Sequence, residues 1–468
     1  MVKKIKQKFW ALAGLAVCLL VMGKGITWAE EDTVLAVAIG NPQTAQEVVL
    51  FQEVMVQEVV ATQEDAATPS SVVSPKIDPG AAKFFGQKLR ALWMNDFNFY
   101  RKTFQVYAAE EALEKKKGPH YNVTATVKNG PGKYQLTAIA RQEPEGKVVA
   151  TAEKEFPAAA FKSNLAVDLA HQVADDIYQG ITGKKSIFTS KIYFVSDRDS
   201  TPERQIKEVY QANFDGGAVQ RLTFHQGVVI GPDISYDGQK VVYSLIDGDA
   251  TKERNINLFL LNLNTRQSTL LSNRPGINSG AVFLPGDHEV ALTLSYAGNP
   301  EIYRLDIKTK KLTPITNSPA IDVDPSMAAR PDLMAFLSGR GGKANVYTLD
   351  PRGVEKNVRR ISYVGKFNAT PRLSPDGQEI AFVSWADETF DIFRLNSDGS
   401  GLVRLTKDFG SCEEPSYSPD GQFLAFQAKR LVPGEKNLYN LYIMDREGDI
   451  LGAIVQNLGN CTAPRWSK

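Results

Sequence analysis

The chain has 468 residues, is 43% hydrophobic and carries a formal net charge of +1. That length accommodates two or three domains with real cores, and the composition is that of a soluble protein rather than a membrane bundle. The near-neutral balance, without a basic cluster outside the first residues, gives no footprint of a nucleic-acid binder.

Residues 1–29 read as a cleaved secretory signal peptide. Lys3, Lys4, Lys6 and Lys8 form a basic leader, an apolar run covers 9–22, and Thr27-Trp28-Ala29 is a small-residue cleavage site. The alternatives are an uncleaved anchor, for which the run is short of the roughly 20 residues a span needs, and a lipoprotein signal at Cys18. Removing five lysines and no acids takes the net charge from +1 to −4 (49 basic against 53 acidic residues). An exported chain meets an oxidising compartment.

Residues 30–79 hold nine acids against one Lys and three near-repeats, Gln46-Glu47-Val48-Val49, Gln52-Glu53-Val54-Met55 and Gln57-Glu58-Val59-Val60. Their five- to six-residue spacing matches neither a helix face nor strand alternation. The expectation is a flexible acidic arm, either a solvated linker or one whose Val-rich part docks on a partner as a strand or helix. Residues 34–39 form a separate candidate edge strand.

A small α/β domain is expected over 80–188. Asp78 caps and Pro79 opens a helix whose apolar face is Phe84, Phe85, Leu89 and Leu92, and residues 97–107 read as a strand. After a charged helical piece at 110–117 come strands at 121–127, 133–140 and 148–156, and a closing helix at 159–178 with Leu165, Leu169, Val173 and Ile177 on one face.

From Lys191 onward one hairpin recurs, best preserved as Pro371-Arg372-Leu373-Ser374-Pro375-Asp376-Gly377 followed by an alternating strand. Pro presets φ, Asp bonds back to nearby backbone, and Gly accepts a left-handed turn. The residues aligned with Pro371 are Pro232, Ala281, Pro325, Pro415 and Pro464, and the successive intervals are 49, 44, 46, 44 and 49. Four short strands per such period predict a β-propeller, and the whole chain is therefore expected to be mainly β. The chain ends on a first strand without a second, Pro464-Arg465-Trp466, while 191–196 is a second strand without a first. Joined, they make a sixth blade from both ends of 189–468, a latch that leaves no free edge.

Enzyme signatures fail residue by residue. There is no Gly-x-Ser-x-Gly elbow, and His120, His171, His225 and His288 are isolated. Gly183-Lys184-Lys185-Ser186 lacks the first glycine of a phosphate loop, and Asp247-Gly248-Asp249 has Leu258 where a calcium loop needs Glu. No catalytic residue, metal or cofactor is expected. What remains is a surface: the stretches entering the innermost strands are polar, with Asn278 and Ser279, Asp322 and Asp324, Asn368 and Thr370, Glu413 and Glu414, and Asn460 and Thr462. Loops on a rigid ring are a place for partner binding, and Phe367 is their sole aromatic. Cys412 and Cys461 each lie three residues before their repeat's Pro, which makes them a candidate disulfide between adjacent blades, provided their Cα atoms lie within about 7 Å.

The order of parts resembles the TolB family of Tol-Pal proteins: signal, small α/β domain, Ile181-Thr182-Gly183-Lys184-Lys185-Ser186-Ile187-Phe188 leading into Ile192-Tyr193-Phe194-Val195, then the Ser-Pro-Asp-Gly repeats. The resemblance covers about 80–468. It implies a non-enzymatic, monomeric periplasmic adaptor, peripheral to the outer membrane through its partners, that supports envelope integrity and constriction in cell division. A peptidoglycan-associated lipoprotein (Pal) would sit at the channel mouth formed by the polar residues above, and a TolA-like protein would engage the N-terminal segment. Blades two and three depart from the pattern, with Leu284-Pro285-Gly286-Asp287 and Ala329-Arg330-Pro331-Asp332 as turns, and the 30–79 segment does not match the family's short N-terminal box. A peptide- or glycan-binding module, or a non-catalytic relative of a peptidase propeller, is the alternative.

Overall fold

The computed structural model describes residues 46–57, 79–111, 118–130, 133–157, 165–246, 255–430 and 437–467, in two compact units divided at about residue 190. The signal peptide, the candidate strand at 34–39, most of the charged piece at 110–117 and the Asp247 turn lie outside these residues.

In the first unit, β1 (Glu47–Phe51), β2 (Met55–Gln57), β3 (Phe104–Ala108), β4 (His120–Gly130), β5 (Lys133–Glu143) and β6 (Lys147–Phe156) form one sheet in the order β3-β1-β4-β5-β6, with β2 also on β4. This corrects the arm reading for residues 47–57. β1 runs parallel to both β3 and β4, in the sheet interior. Val49, Leu50 and Phe51 are consecutive and all buried, because a parallel strand covered on both faces has no polar side to alternate with. The three antiparallel strands fall where alternation places them.

Two helices cover the sheet, α1 (Pro79–Phe99) and α2 (Leu165–Thr182). α1 buries Phe85, Leu89, Trp93 and Phe97, an i, i+4 stripe, and leaves Phe84 67% exposed. It also runs through 97–99, which alternation had read as strand. Phe97 packs edge-on against Phe51 and beside Phe104, Tyr178 and Phe188. Trp93 Nε1 donates to the Ala170 carbonyl at 3.0 Å, and His171 Nδ1 meets Asp96 Oδ2 at 2.8 Å with both residues 2% exposed or less, tying the helices together. A Cβ on Gly180 would stand 2.3 Å from Ala150 Cβ, so only glycine lets α2 lie this close to β6.

The second unit is a propeller of six four-stranded sheets among the described residues. Blades 1 to 5 are continuous in sequence (228–272, 278–314, 322–360, 368–404 and 411–455), and blade 6 joins Cys461–Trp466 to Lys191–Ser196, Glu208–Asn213 and Gln220–Arg221. The closing register is Cys461 to Ser196, Thr462 to Val195, Arg465 to Tyr193 and Trp466 to Ile192. The Pro-Asp-Gly turn works as its residues dictate: Asp376 Oδ1 accepts from Ser374 Oγ (2.6 Å) and Gln378 N (3.0 Å), and Gly377 has φ 71°. In the degenerate turn of blade 2, Asp287 instead accepts the Tyr236 and Asp237 amides of blade 1, both at 2.8 Å.

The hydroxyl residue ending the fourth strand also has a job. Thr223, Thr316 and Thr406 accept the amides of Val209, Ile302 and Ile392 at 2.8–2.9 Å and donate to the buried acids Glu208, Glu301 and Asp391. Blades then pack face to face. Ala335 and Val346 of blade 3 share one apolar cluster with Leu373, Ile380 and Phe382 of blade 4, where each large side chain contributes about 1.5–3 kcal/mol of burial.

The placement of β1 is open to test by hydrogen exchange. The amides of Val49, Leu50 and Phe51 are expected to exchange with the slow class of the sheet, and Leu50→Ala to destabilise this unit by about 2–5 kcal/mol. Free exchange at these amides would restore the arm.

Candidate functional site

Each first strand of the propeller contains the same irregularity. Its register shifts at Ile230/Asp233, Ser279/Val282, Val323/Ser326, Ala369/Arg372, Glu413/Ser416 and Thr462/Arg465. The residue before the repeat's Pro or Ala carries positive φ every time: Gly231 (55°), Gly280 (61°), Asp324 (54°), Thr370 (46°), Glu414 (53°) and Ala463 (50°). Four of these six are not glycine. A left-handed L-residue costs roughly 1–2 kcal/mol, and bulges of this kind re-aim side chains. Here the bulges set Asp324, Arg372, Glu414 and Arg465 around one central cavity.

The residues named from sequence lie in the strands rather than in loops, and most are buried. Asn278, Asp322 and Asn368 are fully covered, while Ser279, Thr370, Glu413 and Glu414 are at most 4% exposed. Asp324 and Thr462 are half-buried. Asn278 Nδ2 donates to the Arg274 carbonyl at 2.6 Å, and its Oδ1 accepts from Ser272. Asp322 pairs with Arg340 at 2.5 Å. These are internal fastenings of the strand entrance, so the expected exposed polar rim is corrected: a polar residue three before the Pro faces the blade interior.

Cys412 and Cys461 occupy that same internal position and are free thiols, so the candidate disulfide is not formed. Each sulfur turns to its own preceding loop, Cys412 Sγ to the Gly410 carbonyl and Cys461 Sγ to that of Leu458, both at 3.6 Å. Burial pushes both thiols up to about 12.

At the channel centre Arg372 donates to Asp324 at 3.0 Å and to Glu414 at 3.3 Å, and Arg465 reaches the same Glu414 oxygen at 3.3 Å. All but Asp324 are under 10% exposed as residues. The strand-entry face, where antiparallel pairing brings together the fourth-to-first and second-to-third connections, carries aromatics that the sequence reading passed over. Phe224 (70% exposed) and Tyr363 (67%) each lie under a guanidinium, Arg221 at 4.7 Å and Arg360 at 4.4 Å. Tyr296 (45%) lies under Arg274 at 5.7 Å. The signal for Phe224 and Tyr363 was the Arg-x-Thr/Ser-aromatic ending of the fourth strand, one residue beyond the fastening hydroxyl.

A family model of the TolB beta propeller domain matches residues 178–468. The chain belongs to the TolB β-propeller family. The TolB homolog of Chlorobium luteolum is 33% identical over 302 residues, which span 64% of this chain and 64% of that relative. The Tol-Pal system protein TolB of Francisella tularensis subsp. mediasiatica is 27% identical over 268 residues, 55% of this chain and 59% of that one. The aligned stretch therefore spans about three-fifths of these curated TolB relatives. In structure, TolB from Acinetobacter baumannii superposes with a TM-score of 0.71 at 21% identity, covering 91% of this chain and 97% of that one, so the fold is shared beyond the propeller.

One buried group beside the channel gives this TolB propeller a pH signature. Burial is the main force pushing the Glu413 carboxyl from 4.5 up to about 7, against hydrogen bonds from Ser411 and Tyr439. Its folded value is raised, so between pH 4.5 and 7 the folded chain keeps a proton that the unfolded chain has lost. Its contribution is therefore most favourable below pH 4.5 and declines as pH rises through 7. Relative to wild type, Glu413→Gln should gain on the order of 2 kcal/mol of unfolding free energy between those limits, read by denaturant titration at several pH values. Parallel curves for the two proteins would show that Glu413 titrates normally.

Proposed function

We propose that this chain is a non-enzymatic periplasmic adaptor of the Tol-Pal envelope system, which docks a Pal-like lipoprotein on the strand-entry face of its propeller and so supports outer-membrane integrity and constriction. The reading rests on family membership and on one observation of the face itself. Phe224, Tyr363 and Tyr296 are exposed large aromatics, each covered by an arginine, on a rigid ring. Aromatic and Arg side chains are the types enriched at the centres of protein interfaces, where they desolvate together. Loops held by fastened strand ends need little ordering on association, which limits the entropic cost of docking.

The buried polar residues have a supporting part in this account. Asn278, Asp322, Asn368 and Glu413 hold the strand entrances that present the contact loops. Contact to a TolA-like protein through the 30–79 segment falls to residues outside the described ones, because Glu47–Phe51 and Met55–Gln57 are already paired in a sheet.

Pull-down of the lipoprotein from solubilised envelope by the mature chain tests the proposal. Phe224→Ala with Tyr363→Ala should weaken recovery and raise Kd at least tenfold, since truncated interface anchors typically cost more than about 1 kcal/mol each. Both residues are exposed, so the melting temperature should stay within a few degrees of wild type. Unchanged capture by the double variant would remove the face from the account, and capture of no Pal-like lipoprotein by wild type would remove the partner.

A further inference from the structure

We propose that the channel holds a second binding site, opening on the face of the Pro-Asp-Gly turns, for a small organic carboxylate with an apolar tail, gripped by Arg372 and Arg465. It lies at the end of the ring opposite the strand-entry face and stands whether or not a lipoprotein docks there.

The first observation is space. A cavity of about 250 Å3 is floored by both arginines, walled by Val282, Leu373 and Trp466, and rimmed by Ala329 of the blade 3 turn. It falls just under the roughly 300–1,000 Å3 of pockets for drug-sized ligands, so its occupant is small. Its mouth is bordered by Ala329 of the degenerate blade 3 turn and by Pro375 and Pro419 of the regular turns of blades 4 and 5. In blade 1 Tyr236 stands where the better repeats have Pro, and its hydroxyl crosses blade 2 to donate to the Ala328 carbonyl of blade 3 at 2.8 Å, bracing the rim.

The second observation is unspent donors. A guanidinium has five N–H groups. Arg372 uses three: Nη1 donates to Asp324 (3.0 Å) and to the Pro371 carbonyl (2.7 Å), and Nη2 to Glu414 (3.3 Å). Its buried Nε has no partner. Arg465 likewise directs Nη1 to the Pro464 carbonyl (2.8 Å) and to Glu414, and Nη2 to Glu414, the latter two at 3.3 Å. A single Glu414 oxygen thus serves three guanidinium nitrogens at 3.3 Å, well beyond the 2.7–2.9 Å of a strong charge-assisted bond. Burial, and next to it the Arg372 charge, holds Arg465 below its usual value.

Asp233 also borders the floor, its Oδ2 accepting the neutral Phe283 amide at 2.9 Å, so its charge adds to those of Asp324 and Glu414 and the occupant is held by open guanidinium donors rather than by net positive charge. An incoming carboxylate would supply the acceptor atoms the two arginines lack, and the apolar walls favour a hydrocarbon tail over a bare inorganic anion.

Calorimetric titration of the mature chain with hexanoate at pH 7 is the test. One site with a Kd near about 1 mM is expected, the scale of a small fragment ligand. Hexan-1-ol and inorganic phosphate should bind at least about tenfold more weakly. Arg465→Met should lose binding by a similar factor, and because it leaves Glu414 with less charge compensation, Ala329→Trp is the companion variant. Ala329 is an exposed rim residue with no part in the Arg372, Arg465 and Glu414 pairs, and the indole should block entry with the melting temperature within a few degrees of wild type. No saturable hexanoate binding, equal affinity in Ala329→Trp, or equal affinity for hexan-1-ol or phosphate would each overturn the proposal.

Discussion

The propeller depends on one pairing, Cys461–Trp466 against Lys191–Ser196. Without it the sixth sheet lacks its inner strand and Lys191–Ser196 presents an open edge, the condition that invites chain-to-chain pairing. Ser467 N donates to the Lys191 carbonyl at 2.8 Å and Trp466 Nε1 to Ser190 Oγ at 2.7 Å, so the junction is held beyond the strand itself. The same strand carries Arg465 into the channel beside Glu414 and Arg372. Closing the ring and completing its charged centre are therefore one event.

That coupling explains why the channel can hold strained backbone. Left-handed residues at Asp324, Thr370, Glu414 and Ala463 are individually unfavourable, and they persist because the ring over-determines them. In return they turn acids and arginines inward at a radius where only six strands meet. The outer surface is left to the fastened loops, so one blade design yields a rigid core and a variable rim.

The ring was legible in the sequence because its evidence is redundant. Six aligned first-strand positions, spaced 44–49 residues, and two complementary half-blades leave few other architectures. β1 was not legible, since Val49-Leu50-Phe51 buried on both faces carries no period to read. At 97–99 the Phe-Asn-Phe alternation imitates a strand, whereas Trp93 and Phe97 at i, i+4 are what the packing uses. At the site, the sequence located the right strand entrances and misjudged their sidedness. A bulge reverses which residues face the channel, so Asn278 and Cys412 turned out internal and Asp324 and Glu414 central. Phe224 and Tyr363 lie before that window, one residue past Thr223 and Ser362, and Tyr296 lies in the second-to-third connection of its blade.

The two ends of the ring are chemically unlike: aromatic and arginine-bearing loops at the strand entrances, tight Asp-anchored turns with an arginine-floored cavity at the other. The central claim is that the first of these ends receives the protein partner. Hydrogen exchange of the chain with and without a purified Pal-like lipoprotein tests it most directly. Added protection confined to the connections at 222–228, 295–300 and 361–368 is the predicted result, and protection at the turns 235–239 and 374–378, or nowhere on the propeller, would contradict it.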